Sequence, residues 1–110
     1  MTTSEFEGKV AVITGGARGI GLASASLMLE RGGRVALWDA DGAAMEHALL
    51  DLQGGDAATG STVDIADEAA VASALRDAIS THGQVDILVN SAGIIGAPGP
   101  VTDLPSEVWR

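Results

Sequence analysis

Short apolar segments alternate with longer segments of helical periodicity along the chain, and this alternation is the strongest constraint on its fold. The apolar segments cover residues 10–13, 35–38 and 85–89, and a weaker one reaches residue 63. Short continuous apolar runs between loop residues are typical of strands buried on both faces. Strands joined through helices form right-handed crossovers, which place the strands parallel in one sheet. The sequence therefore predicts an α/β fold of about four parallel strands with helices on both faces.

The intervening segments predict three amphipathic helices, because their apolar residues recur at helical spacing. We expect the buried faces to be Ile20, Ala23, Leu27 and Met28 in the first helix, Met45, Ala48, Leu49 and Leu52 in the second, and Val71, Leu75, Ala78 and Ile79 in the third. Asp41 can cap the second helix. Asp67 and Glu68 fall in the first turn of the third helix, where acids complement the helix dipole.

Charge and composition exclude several classes of partner. The chain has a formal net charge of −9 and no cysteine. Negative charge repels nucleic-acid phosphates and anionic lipids, so we expect neither nucleic acid nor a membrane as partner. Without cysteine there are no disulfides or thiolate metal ligands, and no metal site is indicated. The polar N-terminal segment, and the lack of an apolar run of about 20 residues, predict a cytoplasmic protein.

A glycine-rich turn, T-G-G-A-R-G-I-G over residues 14–21, follows the first apolar segment directly. Gly15 permits a sharp turn, and Gly19 lets backbone N–H groups approach a pyrophosphate. Gly21 lets the following helix lie close to the strand. That helix would direct its positive end at the phosphates. The alternative for such a cluster on its own is an ordinary tight turn between strand and helix.

Two related phosphate loops do not fit this turn. Leu22 and Ala23 occupy the Lys and Ser/Thr positions of a nucleoside-triphosphate loop, and the glycines do not follow the order G-x-G-x-x-G. Instead, T-G-x-x-x-G-x-G directly after a first strand resembles the short-chain dehydrogenase/reductase family, and the likeness extends from Gly8 to near Pro105. The resemblance implies a Rossmann-type doubly wound sheet of order 3-2-1-4, with Ile20 of the turn beside the cofactor.

Asp39 and Arg18 point to opposite choices of dinucleotide. Asp39 follows the second strand about 20 residues after the turn, where a carboxylate accepts both ribose hydroxyls and repels a 2′-phosphate. Arg18 precedes Gly19, a place where NADP-dependent members of the family often have a basic residue. We expect NAD to be preferred, because the acid faces the discriminating hydroxyl directly, with NADP as the open alternative.

Two further loops fit the family. The resemblance implies that Asp64, after the third strand, hydrogen-bonds the adenine amino group and that Ile65 helps to frame the ring. Asn90-Ser91-Ala92-Gly93, after the fourth strand, resembles the family motif N-N-A-G with Ser in place of the second Asn, and implies that Asn90, Ala92 and Gly93 lie beside the adenosine. Each loop by itself could be an ordinary polar connection.

The chemistry implied by the resemblance is hydride transfer between NAD and an alcohol or carbonyl substrate, with Tyr, Lys, Ser and Asn as catalytic groups. This chain contains no tyrosine, and its single lysine, Lys9, begins the first strand. We therefore assign no catalytic residue. A helix that opens near Pro105 stops at Arg110, so we expect residues 1–110 to be the N-terminal part of one NAD(P)-binding domain. We expect this part to be inactive alone and the full-length protein to form homo-oligomers.

Two other classes of function remain open from the sequence. One is a Rossmann module that senses dinucleotide without turnover. The other is an S-adenosylmethionine-dependent methyltransferase, which Asp64 and the loop after Asn90 disfavour. His47 and His82 are both expected at the surface, with His82 in a last helical turn where a cation suits the dipole. Trp38 is expected in the core, at the rim, or beside adenine.

Overall fold

The chain forms one parallel sheet with helices on both faces, which confirms the predicted α/β Rossmann-type fold. The computed structural model describes residues 5–91. Its strands are β1 (Val10–Thr14), β2 (Arg34–Asp39), β3 (Ala58–Thr62) and β4 (Ile87–Asn90), and its helices are α1 (Gly19–Glu30), α2 (Gly42–Leu52) and α3 (Glu68–His82), with a 3-10 turn at Gly55–Ala57. The strand order is β3-β2-β1-β4, as expected. The predicted helix near Pro105 lies outside the described residues.

The register brings the carboxyl ends of the strands together at one edge of the sheet. Thr14 of β1 is level with Trp38 of β2 and with Asn90 of β4. Asp39, one residue further along β2, is level with Thr62 of β3. The loops that leave β1, β2, β3 and β4 therefore meet along this edge, which is where open α/β sheets bind ligands.

Alternate residues of the central strands supply two separate core layers. Ile13 and Leu37 pack on one face beneath α1 and α2. Val12, Ala36 and Trp38 pack on the other face beneath α3. Because both faces are covered, β1 is buried over its whole length, as its continuous apolar run predicts.

Helix α1 turns a different face to the core from the predicted one. Its buried residues are Gly21, Ala25 and Met28. Of the predicted face only Met28 is buried, whereas Ile20, Ala23 and Leu27 are exposed, Ile20 to 78%. The prediction is wrong because α1 is rich in apolar and small residues on all sides, so that spacing alone does not select a face.

Helices α2 and α3 follow the predicted pattern more closely. Met45 and Ala48 of α2 are buried, with Leu49 and Leu52 packed at the margin of the same core. In α3 the predicted Ala78 is buried, but Ile79 is 44% exposed and Ala74, not predicted, is buried instead. The carboxylates of Asp41 and Asp67 cap these helices by accepting from the backbone N–H groups of Ala44 and Ala70.

A hydrogen-bonded cluster at the amino edge of the sheet corrects the prediction for His82. The ring is half-buried, and its Nδ1 accepts a hydrogen bond of 2.9 Å from Arg34 Nε. Its Nε2 lies 2.9 Å from the hydroxyl of Thr59. Burial, and secondarily the charge of Arg34, lower the pKa of His82 below its usual value. His82 is therefore a neutral link between α3, β2 and β3, whereas His47 is exposed as expected.

A second cluster at the amino edge joins β4 to β1. The carboxylate of Asp86 accepts hydrogen bonds from the backbone N–H of Val10 at 2.9 Å and from Gln84 Nε2 at 2.8 Å. The bond from Val10, followed by that from Gln84, lowers the pKa of Asp86. Both clusters lie at the amino ends of the strands, opposite the loops that follow the strands.

Candidate functional site

A cleft of about 660 Å³ lies at the carboxyl edge of the sheet. It is lined by these residues of the predicted site: Gly15, Arg18, Gly19, Ile20, Asp39, Asp64, Ile65 and Asn90. They come from the loops after all four strands, so the fold brings together positions that are 75 residues apart in the chain. Gly21 lies behind the turn, and Ala92 and Gly93 fall outside the described residues.

The glycine turn packs its backbone directly against the start of α1. Gly15 and Gly19 both have positive φ, at 63° and 58°, a region that favours glycine. At Gly21 a Cβ atom would lie 2.3 Å from the carbonyl oxygen of Gly15 and 2.5 Å from Ser91 Oγ. No side chain fits there, so glycine at position 21 lets α1 begin against the turn, as the sequence predicts.

The first turn of α1 has no side-chain acceptor for its free N–H groups. Arg18 is the N-cap residue and makes no side-chain capping bond, and no acidic residue follows in the first turn. Arg18, Gly19 and Ile20 also line the cleft. Because the first N–H groups of a helix have no partner within it, this end of α1 suits an anion in the cleft.

Two backbone N–H groups hold the carboxylate of Asp39 in place at the end of β2. Oδ2 accepts from the N–H of Ala17, in the glycine turn, at 3.2 Å. Oδ1 accepts from the N–H of Asp41 at 2.9 Å. A carboxylate oxygen can accept more than one hydrogen bond, so each Asp39 oxygen has capacity left for a hydroxyl donor in the cleft.

Asp41 pairs with Arg18 across the same loops. The distance from Arg18 Nη2 to Asp41 Oδ2 is 2.7 Å. The other oxygen, Oδ1, accepts from the N–H of Ala44 at 3.0 Å and thereby caps α2. The bond from Ala44, and next the bond from Arg18, lower the pKa of Asp41. The acid is thus an ionised partner for Arg18 at neutral pH.

The loop after β4 is tied to the end of β1 by side chains. The buried hydroxyl of Thr14 donates to Asn90 Oδ1 at 2.7 Å. Ser91 Oγ donates to the carbonyl oxygen of Thr14 at 2.6 Å. Ser91 also lines the cleft. Sequence reasoning treated this serine only as a conservative replacement and missed its hydrogen bond.

A family model of short chain dehydrogenases matches residues 9–110. The chain belongs to this family. It is 42% identical over 105 residues to a 2-dehydro-3-deoxy-L-rhamnonate dehydrogenase (NAD(+)) of Sphingomonas sp. strain SKA58, covering 96% of this chain and 41% of that protein. It is 41% identical over 106 residues to a D-threitol dehydrogenase of Mycolicibacterium smegmatis, covering 94% and 40% of the two chains.

Solved structures agree with this membership of the short-chain dehydrogenases. A 3-ketoacyl-(acyl-carrier-protein) reductase from Brucella melitensis, complexed with NADH, superimposes with a TM-score of 0.77 at 40% identity. The match covers 94% of this chain and 41% of that one. The chain therefore spans about two fifths of the length of these relatives.

Four residues that line the cleft were not in the predicted cofactor set: Trp38, Ala40, Val63 and Ser91. Trp38 is 3% exposed and packs with Val63 and Ala74 beneath α3, so it is a core residue that also contributes to the wall of the cleft. The sequence analysis left a core position and a position beside the site as alternatives for Trp38, and the structure shows that it is buried and also lines the cleft. Trp38 Nε1 has no hydrogen-bond partner within residues 5–91.

Two specific features, a metal-binding group and a membrane-spanning helix, are not found in the part of the chain that the structure describes. Residues 5–91 contain no group of three or more His, Asp or Glu side chains placed to hold a metal ion. None of the helices in this range is long and apolar enough to cross a bilayer.

Proposed function

We propose that this chain forms the adenosine side of the dinucleotide site in an NAD-dependent oxidoreductase. Residues 1–110 would be the N-terminal part of a single NAD(P)-binding domain in a cytoplasmic, homo-oligomeric protein that transfers hydride to or from an alcohol or carbonyl substrate. Membership of the short-chain dehydrogenases, and the similarity to dehydrogenases over about two fifths of their length, support the proposal.

The observation that carries the NAD preference is the fixed carboxylate of Asp39. Its two oxygens are held by the N–H groups of Ala17 and Asp41 at the mouth of the cleft. A carboxylate in this place accepts from the 2′ and 3′ hydroxyls of an adenosine ribose. The same charge repels the 2′-phosphate of NADP, so NAD is the better match.

The remaining contacts follow from the loops around Asp39. The glycine turn and the uncapped start of α1 would receive the pyrophosphate through backbone N–H groups. Asp64 and Ile65, beside Val63, would border the adenine. Asn90, Ala92 and Gly93 would complete the adenosine pocket. These residues bind and orient the dinucleotide, whose nicotinamide supplies or accepts the hydride.

A dinucleotide titration tests the proposal. We expect the full-length protein to bind NADH more tightly than NADPH, as followed by fluorescence. Asp39→Ala should weaken NADH binding by about 10- to 100-fold, because hydrogen bonds to a charged group contribute roughly 1.5–3 kcal/mol. NADPH binding should change little or improve. Asp51→Asn, on the exposed end of α2, removes an equal charge and should leave both affinities unchanged.

A non-catalytic dinucleotide sensor is the second candidate, because a Rossmann-type fold can bind a dinucleotide without turning it over. Oxidation of NADH by the full-length protein with a panel of ketones and aldehydes separates the two functions. Tight NADH binding without turnover on any of them favours the sensor.

A further inference from the structure

A continuous set of hydrogen bonds joins the glycine turn to the loop between β2 and α2. Asp39 accepts from Ala17 on one side and from the N–H of Asp41 on the other. Asp41 in turn pairs with Arg18, the residue that follows Ala17. The two loops are thus linked twice, once through each aspartate, at the mouth of the cleft.

Arg18 is a positive group that lines the cleft together with Asp39. A free guanidinium there would be a bidentate partner for a 2′-phosphate. In this structure its Nη2 is instead 2.7 Å from Asp41 Oδ2. A phosphate would therefore meet two carboxylates and one already paired cation.

We propose that Asp41 determines dinucleotide preference jointly with Asp39, by keeping Arg18 paired and away from a 2′-phosphate. The inference rests on the proposed function and adds a positioning residue to it. Asp39 faces the ribose itself, whereas Asp41 acts through Arg18. The pair explains how a chain with arginine at this position can still prefer NAD.

Asp41 is well suited to hold Arg18, because the carboxylate is itself fixed. Its second oxygen accepts from the N–H of Ala44, which anchors it to the first turn of α2. The N-terminal end of a helix also stabilises a negative charge. A 2′-phosphate would have to compete with an anchored, ionised partner for the same guanidinium.

The test is Asp41→Asn, which removes the charge but keeps a residue that caps helices well. We measure dissociation constants of NADH and NADPH by fluorescence on the full-length protein. The ratio of the two constants should move toward NADPH by about two- to fivefold, given the modest strength of exposed charge pairs. Asp51→Asn, an equal loss of charge elsewhere on α2, should leave the ratio unchanged. Asp41→Ser, another good N-cap, should reproduce the effect of Asp41→Asn.

The double variant Arg18→Ala/Asp41→Asn identifies the route of the effect. If Asp41 acts through Arg18, the double variant should have the same ratio of NADH to NADPH dissociation constants as Arg18→Ala alone. The inference is overturned if the shift toward NADPH persists without Arg18, or if Asp41→Asn leaves the ratio unchanged. In either case, NADH binding by the parent protein leaves the proposed function intact. A parent protein that binds neither dinucleotide refutes the proposed function itself.

Discussion

Gly21 is the residue at which the glycine pattern has the clearest steric cause. A Cβ atom there would lie 2.3 Å from the backbone oxygen of Gly15, a contact that only a shift of the turn or of α1 can relieve. The glycine spacing predicted this close approach. It did not predict the second contact, with Ser91 Oγ, because that hydroxyl is 70 residues away along the chain and lies beside the turn through the pairing of β4 with β1 and through its bond to Thr14.

Gly21→Ala should therefore lower both stability and dinucleotide affinity. Forcing a methyl group into a closely packed site typically costs about 1–3 kcal/mol. Urea unfolding of the full-length protein, with and without NADH, measures the two effects. Gly42→Ala is the matched control at the start of α2, where the nearest atom to a new Cβ is the Thr62 hydroxyl at 3.2 Å. Equal stability of the two variants would contradict the close approach at Gly21.

For Arg18 and Asp39, the identity and position of the residue predict a place in the site but not the contacts made there. The sequence predicts both residues beside the cofactor and, because Asp39 is given more weight, NAD as the preferred dinucleotide with NADP as the open alternative. Asp41 was predicted only as a helix cap, and that role is confirmed. Its pairing with Arg18 could not be predicted, because an N-cap aspartate has two oxygens and local sequence accounts for one of them.

At the scale of elements, the strands were predicted better than the faces of the helices. Each strand is a short apolar or small-residue segment ending at a loop, so its position and its parallel order follow from the alternation. Helix α1 has apolar residues on all sides, and its burial is decided by the close packing of Gly21 and Ala25. A pattern of 3.6-residue spacing contains no information on that choice.

The cluster of His82, Arg34 and Thr59 links three elements and should make stability depend on pH. The pKa of His82 is lowered in the folded protein, so the unfolded chain binds more protons as pH falls. The contribution of His82 to the free energy of unfolding is therefore fully present above the ordinary histidine pKa of about 6.5, and it declines as pH falls below that value. Arg34 faces the ring from β2 and Thr59 faces it from β3, so protonation loses one hydrogen bond and adds a like charge.

His82→Gln should reduce this acid sensitivity, because an amide can accept from Arg34 and donate to Thr59 at every pH. We expect the wild-type protein to lose at most about 1 kcal/mol more than the variant between pH 7.5 and 5.5, since the site is partly solvated. Urea unfolding at the two pH values measures the difference. His47→Gln removes the other histidine of the chain, which is exposed, and should behave as wild type. An identical pH profile for all three proteins would contradict the role of His82.

At the scale of the molecule, the two edges of the sheet have different characters. At the amino edge, polar groups satisfy one another: Arg34 bonds to His82, and Asp86 accepts from the backbone N–H of Val10 and from the side chain of Gln84. At the carboxyl edge, the loops surround an open cleft with the uncapped start of α1 and the fixed carboxylate of Asp39. The hydrogen bonds at the amino edge hold the elements of the fold together, whereas the carboxyl edge has donors and acceptors available to a ligand.

This difference predicts where a bound dinucleotide will slow hydrogen exchange. In the full-length protein, NADH should protect residues 15–21, 39–44, 63–66 and 90–91, which form or flank the cleft. Residues 32–34, 54–59 and 82–86, at the amino edge, should exchange at the same rate with and without ligand, because local protection follows local contacts. ADP-ribose should reproduce the protection of the cleft segments, and nicotinamide mononucleotide should not, since these loops are proposed to bind the adenosine side. Protection by nicotinamide mononucleotide alone would place the other half of the dinucleotide in this cleft, and protection confined to the amino edge would locate the binding site elsewhere.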